Sequence, residues 1–216
     1  MAAGPPYCSR QADAIARGVS GPPAILIGHS GAGPLLAAAG ALANSTPDSR
    51  PRGRPDSRPD SRQGAVQGYV FVDAGLPIPG KSWMQTVPPD LAVQVREMAD
   101  DQGWLPPWPK WWGEEALPGL IPDPGTRRRF TAGCPPLPLA MFEEVHPAVP
   151  RWPDAPAAYL LLSEVYQDQA TRARELGWPV TEQASHHLAL LTDPGLVAGS
   201  LHDLLDQLES AKPDRG

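Results

Sequence analysis

The stretch from Ala24 to Ala43 constrains this chain more than any other. Ala24-Ile25-Leu26-Ile27 is a short, continuous apolar run behind two prolines, the pattern of a strand buried on both faces of a parallel sheet. Gly28-His29-Ser30-Gly31-Ala32-Gly33 then turns the chain into Pro34-Leu35-Leu36-Ala37-Ala38-Ala39-Gly40-Ala41-Leu42-Ala43, a run of small and apolar residues that suits a buried helix. Just ahead, Ser9 to Val19 place Ala12, Ile15 and Val19 at helical spacing among polar residues, so an amphipathic helix is expected there, ended by Gly18, Ser20 and Gly21.

The same alternation resumes further on. Tyr69-Val70-Phe71-Val72 reads as a second buried strand leading into Asp73-Ala74-Gly75, and Ala157 to Leu162 as a third, followed by a helix over Gln167 to Leu176 that Gly177 stops. A short fourth strand over Pro179 to Glu182 precedes Ser185-His186-His187. The last helix opens with Asp193 as N-cap and Pro194 in the first position. Strands alternating with helices imply an α/β fold with a parallel, doubly wound sheet of about four strands flanked by helices.

Two stretches break the pattern. From Asn44 to Gln67 the chain is polar and repetitive, with Pro-Asp-Ser-Arg at 47–50, 55–58 and 59–62; mixed charge, repeated proline and no apolar residue through most of it predict a disordered loop. Residues 81–153 mix helical patches, Leu91 to Ala99 and Leu137 to Glu144, with prolines and six of the seven tryptophans. They are expected to form a cap inserted into a core made of residues 1–80 and 154–216. With 29 prolines and 21 glycines among 216 residues, much of the backbone must be loop.

The formal net charge of −6 argues against nucleic-acid or anionic-membrane partners, which need clustered Lys and Arg, and favours a small-molecule substrate. Cys8 and Cys134 have no metal-ligand spacing, so no metal site and no disulfide framework is expected. No signal peptide or membrane span is read from the chain, which makes a cytoplasmic location the default expectation.

Strand, Gly28-His29-Ser30-Gly31-Ala32, then a helix of small residues is the arrangement of a nucleophile elbow, in which a serine occupies a strained turn. A glycine-rich turn of this kind also suits close packing or a bound phosphate. From about Ala24 to the C-terminus the chain resembles the α/β-hydrolase superfamily, of the serine esterase or lipase kind. The resemblance implies Ser30 as nucleophile, with the Gly31 N–H as one donor of an oxyanion hole. It implies His187 as base, since His187-Leu188-Ala189-Leu190-Leu191-Thr192-Asp193-Pro194 follows the last strand as the family's histidine does. His186 is the neighbour most easily confused with it, and both histidines also read as exposed loop residues ahead of a capped helix.

The acid is the least regular member. Where the family has an Asp after the third strand seen here, this chain has Ser163-Glu164-Val165-Tyr166, a tyrosine in the expected place. Some relatives carry the acid one strand earlier, which points to Asp73, with Glu164 and Asp168 as alternatives. Trp104, Trp108, Trp111 and Trp112 are candidates for lining an apolar substrate site, or simply for holding the cap to the sheet. Only 23 residues precede Ala24, too few for the strands that a complete relative has there, so the fold is expected to be partial. The expected activity is hydrolysis of an ester or related acyl bond without a cofactor. The alternatives are a non-catalytic protein of the same fold that binds a ligand or partner, and a lyase.

Overall fold

The computed structural model describes residues 4–19, 23–45, 65–113 and 116–210. In chain order they form α1 (Tyr7–Gly18), β1 (Ala24–Ser30), α2 (Leu35–Ser45), β2 (Val66–Ala74), α3 (Pro89–Glu97), β3 (Trp104–Leu105), α4 (Ala116–Leu120), α5 (Pro124–Gly133), β4 (Leu137–Pro138), α6 (Leu139–Glu143), β5 (Ala157–Leu161), α7 (Gln167–Glu175), β6 (Val180–Glu182), α8 (Ala189–Thr192) and α9 (Pro194–Ser210).

Four of the strands make one sheet in the order β1-β2-β5-β6, and every neighbouring pair is parallel. Side chains of β2 and β5 alternate between its two faces, as the period of a strand requires. Tyr69, Phe71, Tyr159 and Leu161 pack with Ala12 of α1, Leu36, Ala39 and Ala43 of α2, and Ala170 and Ala173 of α7. Val70, Val72, Ala158 and Leu160 meet Ala189 of α8 and Val197, Leu204 and Leu208 of α9 on the opposite face. Each fully buried large side chain contributes roughly 1.5–3 kcal/mol, so the central strands β2 and β5 anchor the molecule. The run of small residues in α2 has a steric reason: a Cβ on Gly40 would sit 2.0 Å from the Tyr69 hydroxyl. The elbow strand β1 is an edge of this sheet, and Ile27 on it is 47% exposed.

Most of the repeat segment, residues 46–64, lies outside the described residues. Its flanks are ordered, contrary to the expected loop over 44–67: Asn44 belongs to α2 and Val66 opens β2. The Asn44 side chain joins them, accepting from the Val66 N–H at 3.0 Å while its amide donates to Asp154.

Residues 81–153 follow β2 and return to the sheet at β5. They hold their own apolar cluster of Met84, Ala92, Val95, Leu105 and Trp111, with Trp83, Trp108 and Phe142 packed against it. The helix expected over Leu137 to Glu144 is shorter than its pattern suggested. Leu137–Pro138 pairs antiparallel with Trp104–Leu105, and only Leu139–Glu143 is helical. The cause is Pro138, which forces the residue before it into extended backbone. Glu144, just past that helix, accepts the N–H groups of Tyr7 (2.6 Å) and Cys8 (2.8 Å), tying this segment to the start of α1.

Candidate active site

The site lies at the carboxyl ends of the strands, where side chains in an open α/β sheet are free to converge. Parallel pairing sets Ser30 of β1 beside Ala74 of β2, and Val72 of β2 beside Leu160 of β5. Ser30, Asp73 and the residues just after β5 are therefore brought to one level before any side chain is considered.

Ser30 has φ +56°, a left-handed conformation that a non-glycine residue enters at a cost of about 1–2 kcal/mol. The turn is fastened around it: the Ser30 carbonyl accepts the N–H groups of Gly33 (3.2 Å) and Gly75 (3.3 Å). Gly33 is required by this close approach, because a Cβ there would lie 2.2 Å from the Gly75 carbonyl oxygen. At Gly31 the same added atom meets open space. The exposed Gly31 N–H makes no hydrogen bond among the described residues, so it is free to donate to an oxygen placed above Ser30.

The structure brings Ser30, His187 and Asp73 together. His187 Nε2 is 3.0 Å from Ser30 Oγ, and its Nδ1 is 2.8 Å from Asp73 Oδ2. Asp73 is fully buried and also has positive φ, +43°. Its Oδ1 accepts the N–H groups of Leu162 and Ser163, both at 2.9 Å, and its Oδ2 accepts the Ser163 hydroxyl at 2.6 Å. Burial alone would raise this carboxyl. The hydrogen bonds from His187, the Ser163 hydroxyl and the two N–H groups outweigh it and hold Asp73 below the usual carboxylate range, ionised at neutral pH. The strand end carrying Asp73 is pinned as well: the buried Tyr159 hydroxyl donates to the Ala74 carbonyl (2.8 Å) and accepts the Ala74 N–H (3.0 Å).

With an ionised Asp73 on Nδ1, the imidazole carries its proton there and presents a lone pair at Nε2 to the Ser30 hydroxyl. The ring is hemmed in by aromatics. His29 stacks on it at 4.5 Å, Tyr166 lies nearly parallel at 5.2 Å, and Trp108 stands 6.4 Å away. His29 is pushed down to about 4, by burial and then by the nearby His187. It is therefore neutral at pH 7, and its Nε2, 3.0 Å from the His187 carbonyl, donates to that oxygen and holds the histidine loop.

The other candidates fall elsewhere. Glu164 and Asp168 are exposed, and the His187 nitrogen that either would have to reach is occupied by Asp73. His186 points away from the site, with Nε2 3.1 Å from the Thr192 hydroxyl. Of the four tryptophans, Trp108 alone contacts the His187 ring among the described residues, and it also packs against Trp112 and Phe130. Trp111 is buried inside the segment's own cluster and donates its indole N–H to the Pro106 carbonyl at 2.8 Å. Trp104 pairs across the short ladder, and Trp112 is 42% exposed. Three contacts have no local signature in the sequence: Ser163 on Asp73, Tyr159 on the Ala74 backbone, and the Tyr166 hydroxyl 3.3 Å from Ser30 Oγ. All three come from β5 or the turn after it, so the only signal was a set of hydroxyl-bearing residues in and just after that strand.

A parallel sheet with helices on both faces and a serine at a strained strand-to-helix turn define the α/β-hydrolase class. The alpha/beta hydrolase family model matches residues 3–200, and the chain belongs to that family. Two solved structures share the fold. One is an extracellular α/β-hydrolase from a Paenibacillus species, described as structurally and functionally homologous to tobacco salicylic acid binding protein 2. It is 18% identical, covers 91% of this chain and 77% of its own, and has a TM-score of 0.65. The other is a histidine-to-alanine variant of tomato methylketone synthase I complexed with β-ketoheptanoate. It is 15% identical over 94% of this chain and 78% of its own, with a TM-score of 0.62. No curated protein sequence matches this chain.

Proposed function

We propose that this protein is a serine hydrolase that cleaves an ester or related acyl bond of a small, apolar substrate through an acyl-enzyme on Ser30. The observation that carries the reading is the unbroken chain from Ser30 Oγ to His187 Nε2 at 3.0 Å and from His187 Nδ1 to Asp73 at 2.8 Å. His187 takes the Ser30 proton as Oγ attacks the acyl carbon, then gives it to the departing alcohol oxygen. Water enters, loses a proton to the same nitrogen and releases the acid. Asp73 holds the imidazole in the tautomer this needs and stabilises the imidazolium, while the Gly31 N–H faces the developing oxyanion. Trp108, with Phe130 and Trp112 around it, offers an apolar surface beside His187. None of these steps calls for a metal or cofactor.

The test is covalent labelling with a fluorophosphonate together with hydrolysis of short-chain p-nitrophenyl esters. The expected result is modification of Ser30 alone, with both labelling and turnover lost in Ser30→Ala while the far-UV spectrum and melting temperature are kept. Turnover that survives in Ser30→Ala would remove the serine from the reaction. A wild-type chain that binds apolar esters without being labelled or turning them over would favour a ligand-binding role on the same fold.

A further inference from the structure

Tyr166 lies in the turn after β5 and immediately precedes α7. Its hydroxyl is 3.3 Å from Ser30 Oγ, and its ring stands 5.2 Å from that of His187 at an interplanar angle of 15°. The ring contact explains why an aromatic side chain fits here, but phenylalanine would supply it equally well. The hydroxyl needs a separate account, because it points at the one oxygen on which the proposed reaction turns.

Proton accounting fixes the direction of the bond. Ser30 Oγ has one proton and two lone pairs. The proton points at the lone pair of His187 Nε2, since Asp73 keeps the ring proton on Nδ1. What remains on Oγ is acceptor capacity, so the Tyr166 O–H donates. Burial pushes the phenol up from its ordinary value, which keeps that proton on the tyrosine. The length of the contact then matters. At 3.3 Å it is well beyond the ~2.7–2.8 Å of an ordinary O–H···O bond, whereas a bond to an anionic oxygen contracts to about 2.5–2.7 Å. An interaction that is weak at rest and strong when charge develops lowers a barrier; one equally strong in both states does not.

We propose that Tyr166 is a further catalytic residue, whose hydroxyl donates a hydrogen bond to Ser30 Oγ that tightens as negative charge builds on that atom. The proposal rests on the acyl-enzyme reading above. In the attack, the Oγ–H proton passes to His187 Nε2, the Oγ–C bond forms and the carbonyl π pair moves to the carbonyl oxygen. In deacylation, water attacks, His187 takes its proton, the C–Oγ bond breaks with its pair going to Oγ, and His187 returns the proton to Oγ. Oγ bears excess charge in both passages, and Tyr166 supports it in both without giving up its own proton.

Tyr166→Phe keeps the ring on His187 and removes only the donor. A hydrogen bond to a charged group is worth enough to change a rate by about ten- to a hundredfold. The expected result is a fall of that size in both the fluorophosphonate labelling rate and kcat for p-nitrophenyl butyrate, with KM and melting temperature unchanged. Burst amplitude and steady-state rate separate attack from departure. Tyr166→Leu, which also loses the ring, is expected to fall further. Labelling of Tyr166→Phe at the wild-type rate overturns the proposal and leaves the acyl-enzyme reading standing. Faster labelling also overturns it, since it would mean that the phenol diverts the serine proton. A change confined to KM or to melting temperature assigns Tyr166 a packing role instead. Failure of the wild-type chain to label overturns both readings.

Discussion

Asp73 and Trp111 are both buried and both hydrogen-bonded, yet the regions they anchor are held by different physics. At the sheet edge, position is imposed by ladders of backbone hydrogen bonds, and the polar groups left over at the strand ends are met one by one: Asp73 by four donors, the Ala74 amide and carbonyl by a single tyrosine hydroxyl. Among the described residues of 81–153 backbone pairing amounts to a two-residue ladder and the isolated Ser82–Val145 bridge, and aromatic side chains such as Trp83, Trp111 and Phe142 do the holding. The first design fixes atoms to the tolerance that proton transfer needs. The second keeps a proline-rich segment together while leaving Trp108 at the surface of the site.

Asp73→Asn tests the first design most severely. It preserves the shape of the side chain but favours the wrong imidazole tautomer, so turnover should drop by up to about 10⁴-fold while the fold survives. Glu164→Gln, at an exposed position, should change turnover little. An Asp73→Asn enzyme that keeps most of its kcat would mean that His187 is oriented by something else.

The tryptophans probe the second design. Trp111→Ala empties the middle of the segment's cluster and is expected to cost ~3–5 kcal/mol of stability, read as a shift in the denaturation midpoint. Trp108→Ala should instead act on substrate handling, raising KM for apolar esters with a smaller loss of stability. If the two variants behave alike, the division between a packing tryptophan and a site tryptophan fails.

Gly33→Ala sharpens the contrast within the elbow itself. With 2.2 Å between the new Cβ and the Gly75 oxygen, the turn must shift, at a cost of about 1–3 kcal/mol, and activity should fall with it. Gly31→Ala meets no atom and should leave the melting temperature unchanged.

The smallest effect is a pH dependence. Folded His29 takes a proton only near pH 4, whereas in the unfolded chain it does so near 6.5. Between those values the unfolded state binds more protons, so stability present above pH 6.5 declines as pH falls toward 4. His29→Gln should make that part of a melting-temperature profile shallower, the remainder coming from His146, which burial also lowers, and at lower pH from Asp73, whose depressed carboxyl gives up its contribution as pH falls through its folded-state value.

The strands, the elbow and the histidine ahead of α9 were legible because each is written locally, in an apolar run, a Gly-x-Ser-x-Ala turn, or an Asp-Pro helix start. Leu196 N–H donates to Asp193 at 3.1 Å, as that start signal implies. The partial α/β-hydrolase fold follows from those elements in order. Local pattern misjudged the helix after Leu137, where one proline outweighed the apolar spacing, and it placed the edge of the repeat segment inside β2. Between Asp73 and Glu164, sequence offered two strand ends at the same edge of the sheet. The structure separates them through register: β2 runs two residues, Asp73 and Ala74, past its last pairing with β5, which sets Asp73 beneath the N–H groups of Leu162 and Ser163, while Glu164, in the turn that follows β5, is exposed. Tyr166 was visible only as a residue out of place. Its hydroxyl meets Ser30 across 136 positions of chain, and contacts between distant segments depend on how strands align and helices pack, which no local pattern encodes.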